Sequence, residues 1–485
     1  SALKKARDVF DQLPFRDVVS WNALISGYVK NGIGDEALKC FRQMQSAGIT
    51  PDVVTYICIA KACGIVGSLD IGERIDADVR KQRLLEKDVV LGTALVDMYS
   101  KCGSLEKARE VFEKLPEQNV VSWSSLIAAY VQNGLANEAL ECFRQMQNQG
   151  VCPNAVSYVS ILKACGIAGS LEIGEDIDTE VKRQGLLEND VVLGTALVDM
   201  YSKCGVLEKA QKVFEQLLVR NVATWNALIS GYVQHGLGEM ALKCFECMKD
   251  EHVIPDVITF ICLSKACCII GSSLKGEEIH AEAKREGLLE KNVDLTNSLV
   301  DMYAKCGALE KAQELFDEVL VRDVSSWNVL ISGYVLHEFY IEAISCFDKM
   351  QDDSFEPNAF TYACILKACG ILGATHKGQD IHANIKVQGL VLQKDLVLCN
   401  ALIDMYAKCG ACANAQDMFD ELRVRDVISW TTLMSVYAQH GEIKHVFRLF
   451  NQMISQGIIP TEVTFVVMMI ACSHGGLVVD GQACF

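Results

Sequence analysis

Three sets of residues in this chain have types and spacings suited to chemistry. Cys244 with Cys247 and Cys409 with Cys412 have the separation of half a zinc site, and His280-Ala281-Glu282 has the His-x-Glu form that opens a zinc deaminase centre. In such a centre the metal activates water and the glutamate shuttles protons. A structural zinc needs a second cysteine pair nearby, and no Pro-Cys-x-x-Cys follows His280, so neither set completes a metal site. The third set is different. Asn22, Ser124, Asn226, Asn328 and Thr431 each directly follow one of the five tryptophans, Trp21, Trp123, Trp225, Trp327 and Trp430. The tryptophan never changes, whereas its neighbour varies only among short hydrogen-bonding side chains; a solvated face would mix Lys, Glu and Ala there. This is the pattern of recognition by hydrogen bonds on a constant scaffold. No Gly-rich phosphate loop, nucleophile elbow or paired-carboxylate cleft accompanies it. The chain therefore reads as a binding protein, with no catalytic residues, metal, cofactor or small-molecule substrate.

The tryptophans recur at intervals of 102, 102, 102 and 103 residues, and Pro51, Pro153, Pro255, Pro357 and Pro460 keep the same intervals. A fixed period is the signature of a solenoid. Comparison across it disposes of the metal motifs: His280 and Glu282 correspond to Asp76 and Asp78 and to Asp178 and Glu180, while Gln145 and Leu207 stand where Cys247 and Cys412 do. Each period divides into shorter units, the first being 18–52 (35 residues), 53–88 (36) and 89–119 (31). Triplets at 120–221, 222–323 and 324–426 follow, the last with one extra residue in 359–395; then come a unit at 427–461 and a partial one at 462–485, and 1–17 is the second half of a short unit.

Each unit reads as two helices. Trp21, Leu24, Ile25 and Tyr28 share one face of the first, which Asn31-Gly32 breaks; Ala37, Leu38, Phe41 and Met44 share one face of the second, which ends at Gly48 before Pro51. Two short amphipathic helices cannot bury their faces alone, so neighbouring units must complete the core of an all-α array. With 485 residues, half of them hydrophobic, the core can be large, and no run approaches the roughly 18 to 20 apolar residues of a membrane span. Most of the 22 cysteines recur singly at the period, as in Cys63, Cys165, Cys267 and Cys369, which reads as small buried hydrophobes in a reducing compartment. The net charge of −17 opposes attraction to nucleic acid unless lysines gather in one strip.

The near-constant 34-residue unit of peptide-binding tetratricopeptide repeats fits these unequal lengths poorly, though a peptide-binding scaffold remains the reading from another class. The stretches Val-Val-Ser-Trp-Asn-Ala-Leu-Ile-Ser-Gly-Tyr (18–28), Leu-Lys-Ala-Cys-Gly (162–166) and Ala-Leu-Val-Asp-Met-Tyr-Ser-Lys-Cys-Gly (94–103) instead resemble the P, L and S motifs of plant pentatricopeptide repeat proteins, along the whole chain. The resemblance implies a right-handed superhelical solenoid of helix-turn-helix repeats that binds single-stranded RNA in a mitochondrion or chloroplast. The P-L-S subclass mostly directs cytidine-to-uridine editing, with editing accessory proteins as further partners; roles in RNA stability, splicing, translation or ribonucleoprotein assembly are the alternative.

The resemblance also implies that the fifth and last residues of a unit read one base. A short Thr or Ser leaves room for a purine and Asn reaches a pyrimidine; a final Asp accepts from the ring N–H of U or G, and a final Asn donates to A or C. In the P units, Asn22 with Asp52 implies U, Ser124 with Asn154 A, Asn226 with Asp256 U, and Asn328 with Asn358 a pyrimidine, C preferred. In the S units, Thr93 with Asn119 and Thr195 with Asn221 imply A, while Asn297 with Asp323 and Asn400 with Asp426 imply U. The L units carry Ile57, Val159, Ile261 and Ala363 at the fifth position and are assigned no base, and Thr431 with Thr461 departs from the common pairs. The expected target is 5′-UnAAnAUnUYnU-3′.

The family uses the second residue as an apolar platform that wedges each base, here Val19, Val54, Val90, Val121, Val156, Val192, Ile258, Val397 and Ile428. Lys101, Lys203, Lys305 and Lys408 match its backbone-contacting lysines, and Lys61, Lys163, Lys265 and Lys367 recur in the L units. The form Glu462-Val-Thr-Phe with Ala471-Cys-Ser-His-Gly-Gly resembles the start of a last L unit. A deaminase-like domain, if the complete protein has one, is expected beyond Phe485.

Overall fold

The structure is a computed structural model that describes residues 2–85, 88–188, 190–289, 292–319, 321–389 and 395–475. Among the described residues there are 28 α-helices, one short 3-10 turn and no strand. The chain forms two compact units, Ser1–Ile254 and Pro255–Phe485.

In the first unit, α1 (Ala2–Asp11) precedes seven hairpins: α2 (Val18–Lys30) with α3 (Gly34–Ser46), α4 (Val53–Val66) with α5 (Leu69–Lys81), α6 (Val89–Lys101) with α7 (Leu105–Glu113), α8 (Val120–Gln132) with α9 (Ala136–Asn148), α10 (Ala155–Ala168) with α11 (Leu171–Arg183), α12 (Val191–Lys203) with α13 (Leu207–Gln216), and α14 (Val222–Gln234) with α15 (Gly238–Asp250). The second holds six: α16 (Val257–Ile270) with α17 (Ser273–Arg285), α18 (Val293–Lys305) with α19 (Leu309–Glu318), α20 (Val324–Leu336) with α21 (Tyr340–Asp352), α22 (Ala359–Leu372) with α23 (Thr375–Val387), α24 (Leu396–Lys408) with α25 (Cys412–Glu421), and α26 (Val427–Gln439) with α27 (Ile443–Ser455); α28 (Glu462–Gly475) follows.

The turn of the first hairpin is a local consequence of Asn-Gly. Asn31 caps α2, Gly32 takes φ 73°, which a side chain resists, and the Ile33 N–H returns to the Tyr28 carbonyl. Trp21, Leu24, Ile25 and Tyr28 of α2 are buried, as are Ala37, Leu38, Phe41 and Met44 of α3. Within each unit the first helices of successive hairpins pack on one another, and each second helix packs on its own first helix and on the next. First helices thus form one layer and second helices another.

Two seams recur at the period. Phe10, Phe112, Phe214, Phe316 and Phe419 meet the following Trp21, Trp123, Trp225, Trp327 and Trp430 edge to face, with centroids between 4.5 and 4.7 Å apart. At the other seam, Tyr99 donates to Asp76 and Tyr201 to Asp178, while Tyr303 and Tyr406 lie 3.0 and 2.9 Å from Nδ1 of His280 and His382. His280 is therefore the third member of a row of tyrosine partners, and its burial lowers its pKa. All cysteines among the described residues are free thiols.

Candidate nucleic-acid interface

The first helices begin after an Asp or Asn almost without exception, because a helix start leaves N–H groups that need an acceptor. Oδ1 of Asp52 accepts from the Thr55 N–H at 2.8 Å, that of Asn154 from Ser157 at 2.9 Å, that of Asp323 from Ser326 at 2.7 Å and that of Asn358 from Thr361 at 3.0 Å. Asn119, Asn221, Asp256 and Asp426 cap in the same way. Asp88, Asp190, Asn292 and Asp395 at the ends of the 36- and 37-residue units do so as well. An Asp or Asn at the end of a unit is thus first of all a helix cap. Only the other side-chain atom differs, an accepting Oδ2 in Asp and a donating Nδ2 in Asn. The cap tolerates either residue, so the choice is free to carry a second function. At the ends of the P and S units this cap was legible as Asp or Asn followed three residues later by Ser or Thr.

The fifth residues divide into two classes. Where the residue is Asn it reaches the last residue: Asn22 Nδ2 donates to Asp52 Oδ1 at 2.9 Å, Asn297 to Asp323 at 3.3 Å, Asn328 to Asn358 at 3.3 Å and Asn400 to Asp426 at 3.4 Å. Where it is Ser or Thr, the hydroxyl bonds its own helix instead. Thr93, Ser124, Thr195 and Thr431 donate to the carbonyls of Val89, Val120, Val191 and Val427 at 2.6 to 2.8 Å. These residues stop short of the last residue, and the Nδ2 groups of Asn119, Asn154 and Asn221 donate to no protein atom among the described residues. Asn226 is buried, and Asp256 caps α16. Asn22, Asn226 and Asn328 are only 7–8% exposed, while the fifth residues of the S units are half-buried. Ile57, Val159, Ile261 and Ala363, with no hydrogen-bonding group, are half-buried too.

Burial opposes ionisation of Asp52, Asp323 and Asp426, but their hydrogen bonds from the cap N–H groups, the Ser or Thr hydroxyls and the facing Asn outweigh it and hold each carboxyl below its ordinary value. They are acceptors at neutral pH.

One turn earlier stand apolar side chains left in solvent. Val19, Val90, Val121, Val192, Val397 and Ile428 are between 55% and 71% exposed, and Val54, Val156, Ile258 and Phe360 between 52% and 61%. A side chain stapling its helix start would be packed; these are open to a flat partner. Ala223, Asp294 and Ser325 occupy the same position elsewhere.

The lysines sort unexpectedly. Lys101, Lys203, Lys305 and Lys408 each bond an aspartate one turn back, Asp97, Asp199, Asp301 and Asp404, at 2.7 to 2.8 Å. Lys61, Lys163, Lys265 and Lys367 are exposed and form no ion pair with any described residue. In the second unit, Lys265, Asn297, Asp301, Lys305, Asn328 and Phe360 line one groove of about 680 Å³, so fifth residues, both kinds of lysine and an exposed ring face the same space. Among the described residues, no cluster of His, Cys, Asp or Glu could hold a metal ion, and no helix is long and apolar enough to cross a membrane.

The pattern of the PPR repeat family matches residues 16–64, 118–166, 220–269, 322–370 and 425–474, and that of the PPR repeat matches 93–120, 195–222, 295–324 and 397–427. The chain is 34% identical over 484 residues to the chloroplastic pentatricopeptide repeat-containing protein At1g11290 of Arabidopsis thaliana, all of this chain and 59% of that protein. It is 34% identical to Arabidopsis At5g27110, covering 69% of it, and 33% identical to the mitochondrial At3g02330, covering 54%. The chain thus spans between about half and two thirds of the length of these relatives. Among solved structures, the pentatricopeptide repeat protein PPR10 from maize superposes with a TM-score of 0.54 at 19% identity, over 99% of this chain and 82% of that one. PPR10 in complex with an 18-nt psaJ RNA element gives 0.53 at 17% identity, over 100% and 86%. By its repeated matches and by its full-length similarity to these relatives, the chain belongs to the pentatricopeptide repeat family.

Proposed function

We propose that the protein binds single-stranded RNA sequence-specifically, one base per P or S unit, with the target 5′-UnAAnAUnUYnU-3′. The observation that carries this reading is the direct bond from fifth-residue Asn to last-residue Asp or Asn in P and S units, against apolar fifth residues in L units. The pairs leave donors or acceptors unspent, and those of Asn22 and Asn400 do so beside the exposed Val19 and Val397, which is what a stacked base with a Watson-Crick edge requires. The RNA held by PPR10 supports the class of partner. Chloroplastic and mitochondrial relatives support an organellar setting. The P-L-S alternation further favours service as the specificity module of cytidine-to-uridine editing, together with editing accessory proteins.

The test is competition binding of the purified chain to the target RNA and to a version with every read base swapped. Preference for the target is expected; equal affinity would favour a peptide-binding scaffold. In the organism, loss of the full-length protein should abolish conversion of a cytidine near a matching site. Loss of the transcript with editing intact would favour a stability factor.

A further inference from the structure

The residue three places into the next unit behaves differently after reading and non-reading units. It is Thr55, Ser157, Thr259, Thr361 or Thr464 after the P units and Ser122, Thr224, Ser326 or Ser429 after the S units, always a hydroxyl. After the L units it is Leu91, Leu193, Leu295 or Leu398, each buried and apolar. Helix capping alone does not explain this contrast, since the leucine N–H groups are capped by Asp or Asn just as well.

At two P units the hydroxyl fixes the reading amide. Thr55 Oγ1 accepts the Asp52 backbone N–H at 3.2 Å and lies 2.6 Å from Asn22 Oδ1; Thr361 Oγ1 accepts the Asn358 N–H at 3.2 Å and lies 2.5 Å from Asn328 Oδ1. A hydroxyl has one proton. A lone pair is engaged by the N–H, and the proton is shared between Asn Oδ1, the nearer oxygen, and the cap Oδ1, which lies 2.8 Å away in Asp52 and 3.0 Å away in Asn358; the shorter contact favours the amide with Oδ1 toward the threonine and Nδ2 toward the last residue. One Nδ2 proton is spent on the cap, and the second is left for a ligand. Ser157, Thr224 and Thr464 likewise touch the fifth-residue hydroxyls of Ser124, Thr195 and Thr431, at 2.7 to 3.1 Å.

We propose that this third-residue hydroxyl is a positioning residue for base reading, with Thr55 and Thr361 setting the orientation of the Asn22 and Asn328 amides. The inference rests on the RNA-reading function proposed above. In the full chain, Thr361→Val removes the proton and keeps the shape. Competition binding would compare RNAs carrying C or A at the tenth base of the target. The wild type should prefer C, and Thr361→Val should narrow that ratio on the order of 2- to 10-fold, the worth of one hydrogen bond. Preference at the first base should stay unchanged, and Thr361→Ser should restore the ratio. Thr55→Val, scored at the first base, is the independent second site. An unchanged ratio, or an equal loss of affinity for both RNAs, would reduce the hydroxyl to a helix cap and overturn the inference while leaving the reading function standing. A wild-type chain with no preference at either base would overturn the reading and this inference with it.

Discussion

At Thr195 the hydroxyl is held by the Val191 carbonyl and by Thr224, both at 2.8 Å, and so stays short of Asn221. Asn fits the equivalent position in the same kind of unit, as Asn297 and Asn400 show by reaching Asp323 and Asp426. Thr195→Asn should therefore shift the preferred sixth base from A toward a pyrimidine, by on the order of 1–3 kcal/mol of discrimination; a competition between RNAs differing only there checks it. Asp52 gives a second prediction. Its folded carboxyl lies below its ordinary value, so ionisation contributes stability above that range and the contribution is lost as pH falls through the folded value. An Asn cap does not titrate. Between roughly pH 5 and 2, Asp52→Asn should lose less stability than the wild type in urea titrations followed by circular dichroism, while its first base shifts from U toward C. The residue types of these pairs were legible in the sequence; the capping duty that consumes Oδ1 was equally local but is a demand of the backbone rather than of the ligand.

Among the helices, the seam between α7 and α8 lacks a part its counterparts have. Arg16, Arg220, Arg322 and Arg425 stack over Phe10, Phe214, Phe316 and Phe419 at 4.5 to 5.1 Å and donate to the same phenylalanines' carbonyls. Gln118 stands in that place beside Phe112, with one long bond of 3.4 Å to its carbonyl. Gln118→Arg should restore the clamp and raise stability by about 0.5–1 kcal/mol, read as a higher melting temperature. The row of tryptophans announced this seam in the sequence. Its partners did not announce themselves, because Phe and Trp meet across a hairpin boundary.

For the molecule as a whole, the charge of −17 makes the distribution of lysines decisive. An i,i+4 aspartate neutralises each S-unit lysine, whereas the L-unit lysines are unpaired among the described residues. RNA binding should weaken as salt rises. Replacing Lys61, Lys163, Lys265 and Lys367 by Gln should flatten the dependence of log Kd on log salt by roughly 0.7 per lost contact, with base choice unchanged. Asp301→Asn, which frees Lys305, should tighten binding and steepen the dependence; titrations at several salt concentrations measure both.

The sequence alone determined the period, the helix pairs and the column of hydrogen-bonding residues, because helix periodicity, turn chemistry and repetition are written in local order. Only the tertiary structure decided which atoms of that column are already spent. Asn22 meets Asp52 and Thr55 across 30 and 33 residues, through the packing of one first helix on the next. An amide's orientation depends on a neighbour's single proton, and no spacing within one unit reveals which neighbour supplies it.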